Sequence, residues 1–583
     1  MTNKPVVILG AGPAGLAAAY ELIRQDISPI ILEKADKIGG ISRTESYKGY
    51  LFDIGGHRFL TRIKRIKQLW HKLLGDDFLK VARLSRIYYQ NRFFKYPVKL
   101  TNTLYNLGII ESILILLSYL KSQIFPCRQV KSFEHWVSNR FGKRLFKTFF
   151  KTYTEKVWGI PCHEIRADWA AQRIKGLSLI TAVTNALFGI HNAKTLIEEF
   201  DYPIRGPGMM WDRFQEEIKA KGGKLNLNSK VVRINCENGS IKSVTCMERN
   251  KPVDIPAGQL ISSIPITDLV SLFDPKAPDK VQEAAGKLSY RSLIIVGLIV
   301  DQKDLFPDQW IYVHNPNVRV GRIQNFKNWS AAMLPDPLRT SVGMEYFCNE
   351  GDEVWTMSDT ELVEIATHEL FELGLIHMDD VIDSFVVHQP KAYPVYDQDY
   401  DGHIKTIKNF IEGLDNLQTI GRNGMHRYNN MDHSMQTGIF SAQNISGADH
   451  NLWDINEEDE YIEEDRQSIR ERLIKQAFAR MDKLAFATAV GSVSGLLFFL
   501  ATIWLVIKGG DIVGPNLQLL KHYFAGYTVT VKGASIAFGY GFVWGFLLGW
   551  LFAYLRNLFL ASYIYYIKKK SELVSLRDFF DHL

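Results

Sequence analysis

Cysteine is scarce and oddly numbered in this chain. The five residues Cys127, Cys162, Cys236, Cys246 and Cys348 include no C-x-x-C pair, which argues against a disulfide framework and against a thiolate metal site. Glu155 and Glu164 lack the spacing of a metal site or an acid/base pair, so no metal is expected. No basic run is long enough for nucleic acid. The surplus of 69 Lys plus Arg over 63 Asp plus Glu is only +6, enough to serve a phosphate-bearing substrate or an anionic membrane surface. Internal repeats and low-complexity segments are missing too. After Met1 the sequence runs straight into Pro5-Val6-Val7-Ile8-Leu9, without the apolar region and small-residue exit of a cleavable signal, so a cytosolic, reducing setting is expected for the main folded body. What is present is 583 residues of ordinary globular composition, 46% hydrophobic and 23% charged, long enough for two to four folded units.

The apolar residues are unevenly spread. Residues 484–507 and 533–555 are 24- and 23-residue stretches without a charge, each above the ~20 residues a helix needs to cross a bilayer. Two transmembrane helices are expected, forming a C-terminal anchor over 484–583. Basic residues precede the first (Arg466, Arg470, Arg472, Lys475, Arg480, Lys483) and follow the second (Arg556, Lys568, Lys569, Lys570), which puts both termini and the catalytic domain on the cytoplasmic side of the inner membrane. Ala537, Gly541, Gly545, Gly549 and Ala553, with Ala487, Gly491 and Gly495, give smooth faces suited to packing of the two spans or to a homodimer. Residues 451–483, acidic and then basic, read as a connector. A shorter apolar run, 109–120, is broken by Glu111; a core helix is the preferred reading and a membrane-dipping one the alternative.

The opening residues carry chemistry. A strand at 6–9 leads into Gly10-Ala11-Gly12-Pro13-Ala14-Gly15 and then a helical run, the context a dinucleotide site requires. Gly10 permits the tight turn, Gly12 lets backbone approach a pyrophosphate, and Gly15 lets helix and strand pack closely. The helix N-terminus then faces the phosphates. A second strand, Ile30-Ile31-Leu32, ends at Glu33, where a carboxylate can accept from ribose hydroxyls. Gly39-Gly40-Ile41-Ser42-Arg43-Thr44 follows, offering Gly40 and an Arg43 that can meet the pyrophosphate from the other side.

This extension resembles the FAD proteins of the amine oxidase superfamily, among them the protoporphyrinogen oxidases and the UDP-galactopyranose mutases. Lys230-Val231-Val232-Arg233-Ile234 and Leu260-Ile261-Ser262-Ser263-Ile264-Pro265 are similar to its strands that return to the FAD domain, and Thr419-Ile420-Gly421-Arg422 to its last flavin motif. The resemblance spans about residues 5–450. It implies an α/β fold, an FAD-binding Rossmann-like domain with inserted helical and β-sheet substrate domains ahead of the C-terminal transmembrane helices. The corresponding layout is an FAD domain at 1–80, 203–265 and 410–450, a helical insert at 81–202 and a substrate-binding sheet domain at 266–409. FAD is the implied cofactor, held by Gly10, Gly12, Gly15, Glu33, Gly40, Arg43, Val232, Gly421, Arg422 and Met431.

Three further motifs resemble the mutase branch. Asp53-Ile54-Gly55-Gly56-His57-Arg58-Phe59 looks like its histidine loop over the flavin, where an imidazole can sense or support charge on the reduced ring. The segment 92–98 looks like a substrate-side strand, and 319–330 like the strand whose arginine grips a sugar-nucleotide diphosphate, which falls on Arg322. Residues 421–432 follow Gly-Arg-x-Gly-x-x-x-Tyr-x-x-x-Asp, mapping the diphosphate-binding tyrosine to Tyr428; Asn430 stands where bacterial mutases usually carry an acid. Arg205, in Tyr202-Pro203-Ile204-Arg205-Gly206-Pro207-Gly208, is a second phosphate ligand or a structural cation. Trp158, Trp169 and Arg173 line the substrate side or, as the preferred reading, fill a helical subdomain. The resemblance implies a membrane-anchored sugar mutase that interconverts pyranose and furanose forms of a nucleotide- or polyprenyl-phosphate-linked sugar through an adduct at flavin N5, for cell-surface glycan synthesis. The alternatives are an FAD-dependent oxidoreductase acting on an apolar membrane substrate, and a flavin-bound scaffold without catalysis.

Overall fold

In the computed structural model, residues 5–96, 106–167, 199–456, 481–509 and 515–581 are described, except for the side chains of 109, 515 and 563–581. Trp169, Arg173, the basic residues 466–480 and the side chains of 568–570 lie outside them. The chain divides into two units, residues 1–465 and 466–583.

At the heart of the first unit the strand Val6–Leu9 is the middle member of a five-stranded parallel sheet. The order is Leu417–Thr419, Gln259–Ser262, Val6–Leu9, Ile30–Leu32, Lys224–Asn226. Strands of such a sheet are covered on both faces and read as unbroken apolar runs, which is why Val6-Val7-Ile8-Leu9 is recognisable in isolation. The helix Pro13–Ile23 is buried along nearly its whole length and lies against the helix Met431–Ile445 so closely that a Cβ on Gly438 would stand 2.1 Å from the Ala14 carbonyl oxygen. A four-stranded sheet (Lys251–Pro256, Ser240–Glu248, Lys230–Glu237, Phe273–Asp274) packs beside it.

A seven-stranded sheet forms the other half of this unit, in the order Val381–Pro394, Tyr290–Val300, Thr340–Cys348, Arg322–Asn325, Trp310–Val313, Ser85–Tyr89, Arg92–Lys95. Its last two strands correct the expected layout, which put everything from 81 to 202 in a helical insert. Ser85–Tyr89 pairs in parallel with Trp310–Val313, Ser85 opposite Trp310. That pairing joins segments some 225 residues apart, and no local periodicity reports it. The insert proper begins after Lys95 with the helices Ile109–Ile124, Phe133–Phe141, Lys143–Phe146 and Thr152–Trp158; a hairpin-like pairing of Phe78–Ala82 with Glu199–Pro203 closes its base. The helix Ile109–Ile124 is not the core helix preferred from its sequence, because most of its large apolar side chains are exposed.

In the second unit, the helices Lys483–Lys508 and Val531–Ser562 are both long and apolar enough to cross a membrane, and the second continues to Asp581. They pack on their glycine faces: a Cβ on Gly495 would stand 2.8 Å from the Phe538 carbonyl oxygen, and one on Gly549 3.1 Å from the Ala487 Cα. The face expected to serve either intrachain packing or a homodimer is thus used within the chain. The connector expected over 451–483 begins later than drawn, since Leu452 and Trp453 pack onto the core beneath the parallel sheet.

Candidate active site

The glycines of the first turn meet the demands of a dinucleotide. Gly10 has φ +93° and would place a Cβ 2.5 Å from Ser263 Oγ, while a Cβ on Gly15 would stand 2.0 Å from the Gly10 carbonyl oxygen. Gly12 and Gly40 face each other, a Cβ on Gly40 lying 3.3 Å from the Gly12 Cα, so two bare backbones border one cradle. The helix Pro13–Ile23 has Gly12 as its N-cap and receives no side-chain cap, which leaves its first N–H groups for an anion. The Glu33 carboxylate accepts from the backbone N–H of Ala11 at 2.7 Å and of Ala35 at 2.9 Å, fixing an acid at the rim of the turn. Val232 sits at a register shift in Lys230–Glu237, a strand that starts beside the Glu33 loop through the Ser229 N–H to Glu33 carbonyl bond. Arg43 donates to Glu45, the Gly40 carbonyl and Gln389. Gly421, with φ +79°, donates to Thr437 Oγ1 and would collide with Ala14 if it bore a Cβ; Met431 opens the long helix beside it. These donors and bare backbones fit FAD.

Across from this cradle the turn Gly55-Gly56-His57 meets the seven-stranded sheet. A Cβ on Gly55, where φ is +88°, would lie 3.8 Å from each of Arg322 Nη2, His57 Nε2 and the Tyr393 hydroxyl; one on Gly56 would touch Trp329 and Gln324. Arg322 is gripped side-on by Glu345, Nε to Oε1 at 2.8 Å with Nη2 on the other oxygen. Gln324 donates to the same carboxylate at 2.7 Å, and Glu345 is fully buried. Held this way, the guanidinium keeps three N–H groups beyond the ion pair. Burial is the largest influence and opposes its charge, but Glu345 together with Tyr393 and Tyr153 raises its pKa well above the ordinary value.

Arg422 lies over the Tyr428 ring at 4.6 Å and the Tyr393 ring at 5.5 Å, and the two tyrosines stack with centroids 5.8 Å apart. Its Nε donates to the Asn429 carbonyl, so this residue, expected to serve the cofactor, sits within the tyrosine cluster. Trp158 closes on Tyr428 at 6.0 Å. His57 donates from Nε2 to the carbonyls of Ile41 and Ile54, both at 2.8 Å. Burial, reinforced by Arg422 and Arg322, lowers its pKa to about 4 against the pull of those carbonyls. The imidazole is therefore neutral at physiological pH and presents Nδ1 as its remaining acceptor.

Of the remaining expected residues, Arg205 lies on a turn and Asn430 at a helix start. Arg205 is exposed on a turn seated against Thr44 and Asp53 by Gly206. Asn430 stands at the N-cap position of the helix Met431–Ile445, its backbone N–H donating to His433 Nδ1 at 3.4 Å. Conversely, sequence reading passed over Glu345, Tyr393 and Arg291. A lone acid inside the buried strand Thr340–Cys348 was the available signal for Glu345. Arg291 donates to the carbonyls of Lys156, Val157 and Phe347 and so docks the end of the helix that carries Trp158.

Residues 8–73 match NAD(P)-binding Rossmann-like domains, and residues 128–445, more than half of the chain, match the flavin containing amine oxidoreductases. The chain belongs to the flavin-containing amine oxidoreductase family. Coproporphyrinogen III oxidase of Mycobacterium leprae is 30% identical over 102 residues, 17% of this chain and 23% of that protein; the chain thus spans about a quarter of the length of this curated relative. In structure it is similar to reduced UDP-galactopyranose mutase (TM-score 0.69, 20% identity, 78% of this chain and 98% of that one). It is also similar to an Exiguobacterium protein assigned as a protoporphyrinogen oxidase (TM-score 0.59, 17% identity, 76% and 100%). At these identities the likeness is one of fold. Family and fold together make this member of the amine oxidoreductases a flavoenzyme whose cofactor is FAD.

Proposed function

We propose that this amine oxidoreductase family member is a membrane-anchored sugar mutase, interconverting pyranose and furanose forms of a nucleotide- or polyprenyl-phosphate-linked sugar at the inner face of the cytoplasmic membrane, for surface glycan synthesis. The observation that carries this reading is the side-chain cluster beside the Gly55–His57 turn, which is polar and cationic: Arg322 and Arg422 stand among Tyr393, Tyr428 and Tyr153, where an apolar substrate would call for a hydrocarbon lining. When bound and reduced, FAD supplies a nucleophilic nitrogen for the anomeric carbon. Arg322, oriented by Glu345, meets the diphosphate as its bond to that carbon breaks, and charge stabilised where it develops is the large electrostatic lever. Tyr428 and Tyr393 orient the diphosphate and present ring faces to the sugar. His57 stays neutral and locks the turn against Ile41 and Ile54. Lys483–Lys508 and Val531–Ser562 are the proposed anchor, which confines the site to a surface where lipid-linked glycans are made.

The second reading, an oxidase of an apolar membrane substrate, is favoured by the oxidase named among the sequence relatives. The experiment that separates them reduces the flavin of the full chain in detergent, offers sugar diphosphates anaerobically and follows ring contraction by NMR. The expected result is isomerisation with no reductant consumed per turnover. Stoichiometric consumption of oxygen or quinone with an apolar substrate, and no isomerisation, overturns the mutase reading.

A further inference from the structure

The helix Ile109–Ile124 has two faces of opposite character. On the inner one, Ile115 is 8% and Tyr119 6% exposed, packed with Phe133, Val137 and Phe146. Glu111 on that side pairs with Arg144 at 2.6 Å, and the Ser118 hydroxyl accepts from the Arg144 backbone. A Cβ on Gly142 would stand 2.8 Å from the Tyr119 nitrogen, so the helix is seated closely on its neighbours. The outer face follows helical spacing through Ile110, Ile113, Leu114, Leu117, Leu120 and Ile124. It is open: Ile110 is 78%, Leu117 56% and Ile124 68% exposed, and Phe125 just beyond is 75% exposed. Single exposed leucines are ordinary, but a row of this length, about four turns, is the mark of an interaction surface.

The charge around the row favours a lipid occupant. Between residues 106 and 151 there are eight Lys and Arg against two Glu, one of those acids already paired with Arg144. Lys121, Arg128, Lys131, Lys143 and Lys147 are all exposed. An apolar helical stripe in a segment rich in exposed cations is the composition that beds a helix into the headgroup and acyl boundary of an anionic leaflet.

We infer that the helix Ile109–Ile124 is an interfacial membrane-docking element, its outer apolar row immersed in an anionic lipid surface and its flanking lysines and arginines against the headgroups. This goes beyond the reaction proposed above and rests only on the anchor part of that reading. A docked insert holds the flavin unit at the bilayer by a second contact besides the chain that tethers it.

The test uses the full chain in nanodiscs of mixed zwitterionic and anionic phospholipid. Cys127→Ser removes the exposed thiol, and an environment-sensitive fluorophore is placed at Leu117→Cys or, as a control on a surface helix, at Glu283→Cys. The expected result is a blue-shifted Leu117 label, quenched by nitroxides on the acyl chains at least twofold more than the Glu283 label. That difference should weaken in wholly zwitterionic discs and on Lys121→Glu/Lys143→Glu/Lys147→Glu. A Leu117 label as unquenched as Glu283 in discs that hold the protein overturns the docking. A blue-shifted label untouched by lipid nitroxides overturns it in favour of cover by protein, and quenching indifferent to lipid charge removes the role of the cations. Failure of the chain to enter discs at all marks instead the failure of the anchor.

Discussion

Arg322 concentrates the chemistry of this protein because one neighbour, Glu345, determines where it points. Truncation to Ala would leave that acid buried beside Gln324 alone, and an uncompensated buried charge costs about 3–5 kcal/mol. The informative variant is therefore Arg322→Ala/Glu345→Gln, which removes both charges. It is expected to purify yellow, with flavin bound, and to lose ring isomerisation by two orders of magnitude or more, the scale of about 10²–10³ for one lost transition-state donor. Flavin content and turnover, measured on the same sample, check it; a colourless protein would make the pair structural. Glu345→Gln alone keeps the guanidinium but removes its counter-charge, and is expected to cost roughly a factor of ten in kcat together with a lowered unfolding temperature.

At the scale of elements, glycine spacing does the work that side chains do elsewhere. Gly15→Ala would drive a Cβ to 2.0 Å from the Gly10 carbonyl oxygen, and backbone offers no flexible end to move aside. The expected product is a chain that has lost its FAD, read from flavin absorbance after purification. In the second unit the close approach of Gly549 to Ala487 gives a cleaner measurement. Ala487→Cys with Gly549→Cys is expected to form an intrachain disulfide under mild oxidation, visible as a mobility shift that reductant reverses. Crosslinked dimers in place of that shift would return the glycine face to self-association. The first turn and the long apolar helices were legible in the sequence because each is set by neighbours a few positions away. The same is not true of Ser85–Tyr89, whose partner strand starts at Trp310.

Across the whole flavin unit, burial of titratable groups sets the response to pH. His57 is held to about 4, and His314 and His426 to about 3, each chiefly by desolvation. Their stabilisation is complete above the ordinary histidine value of 6.5 and is lost as pH falls through the folded values, since the unfolded chain takes up protons first. Asp53, beneath Tyr202 and Thr44, runs the other way. Burial raises its pKa to about 7, so its contribution is present below the ordinary value of 3.8 and disappears as pH rises towards 7. The three histidines are expected to draw the unfolding temperature, followed by release of flavin fluorescence, down between pH 6.5 and 4. Asp53→Asn is expected to gain stability relative to the native chain as pH rises from about 4 to about 7; an unchanging difference would show that Asp53 does not titrate there.

The sequence by itself determined the dinucleotide turn, the flavin family and the two long apolar helices, because each is written in contiguous residues whose spacing matches a single element. Only the tertiary structure decided the rest. The grip of Glu345 on Arg322, the pairing of Tyr393 with Tyr428, the neutrality of His57 and the exposed row of Ile109–Ile124 all depend on what the remainder of the chain brings alongside. Contact, burial and dielectric belong to the assembled fold, and no short stretch of sequence carries them.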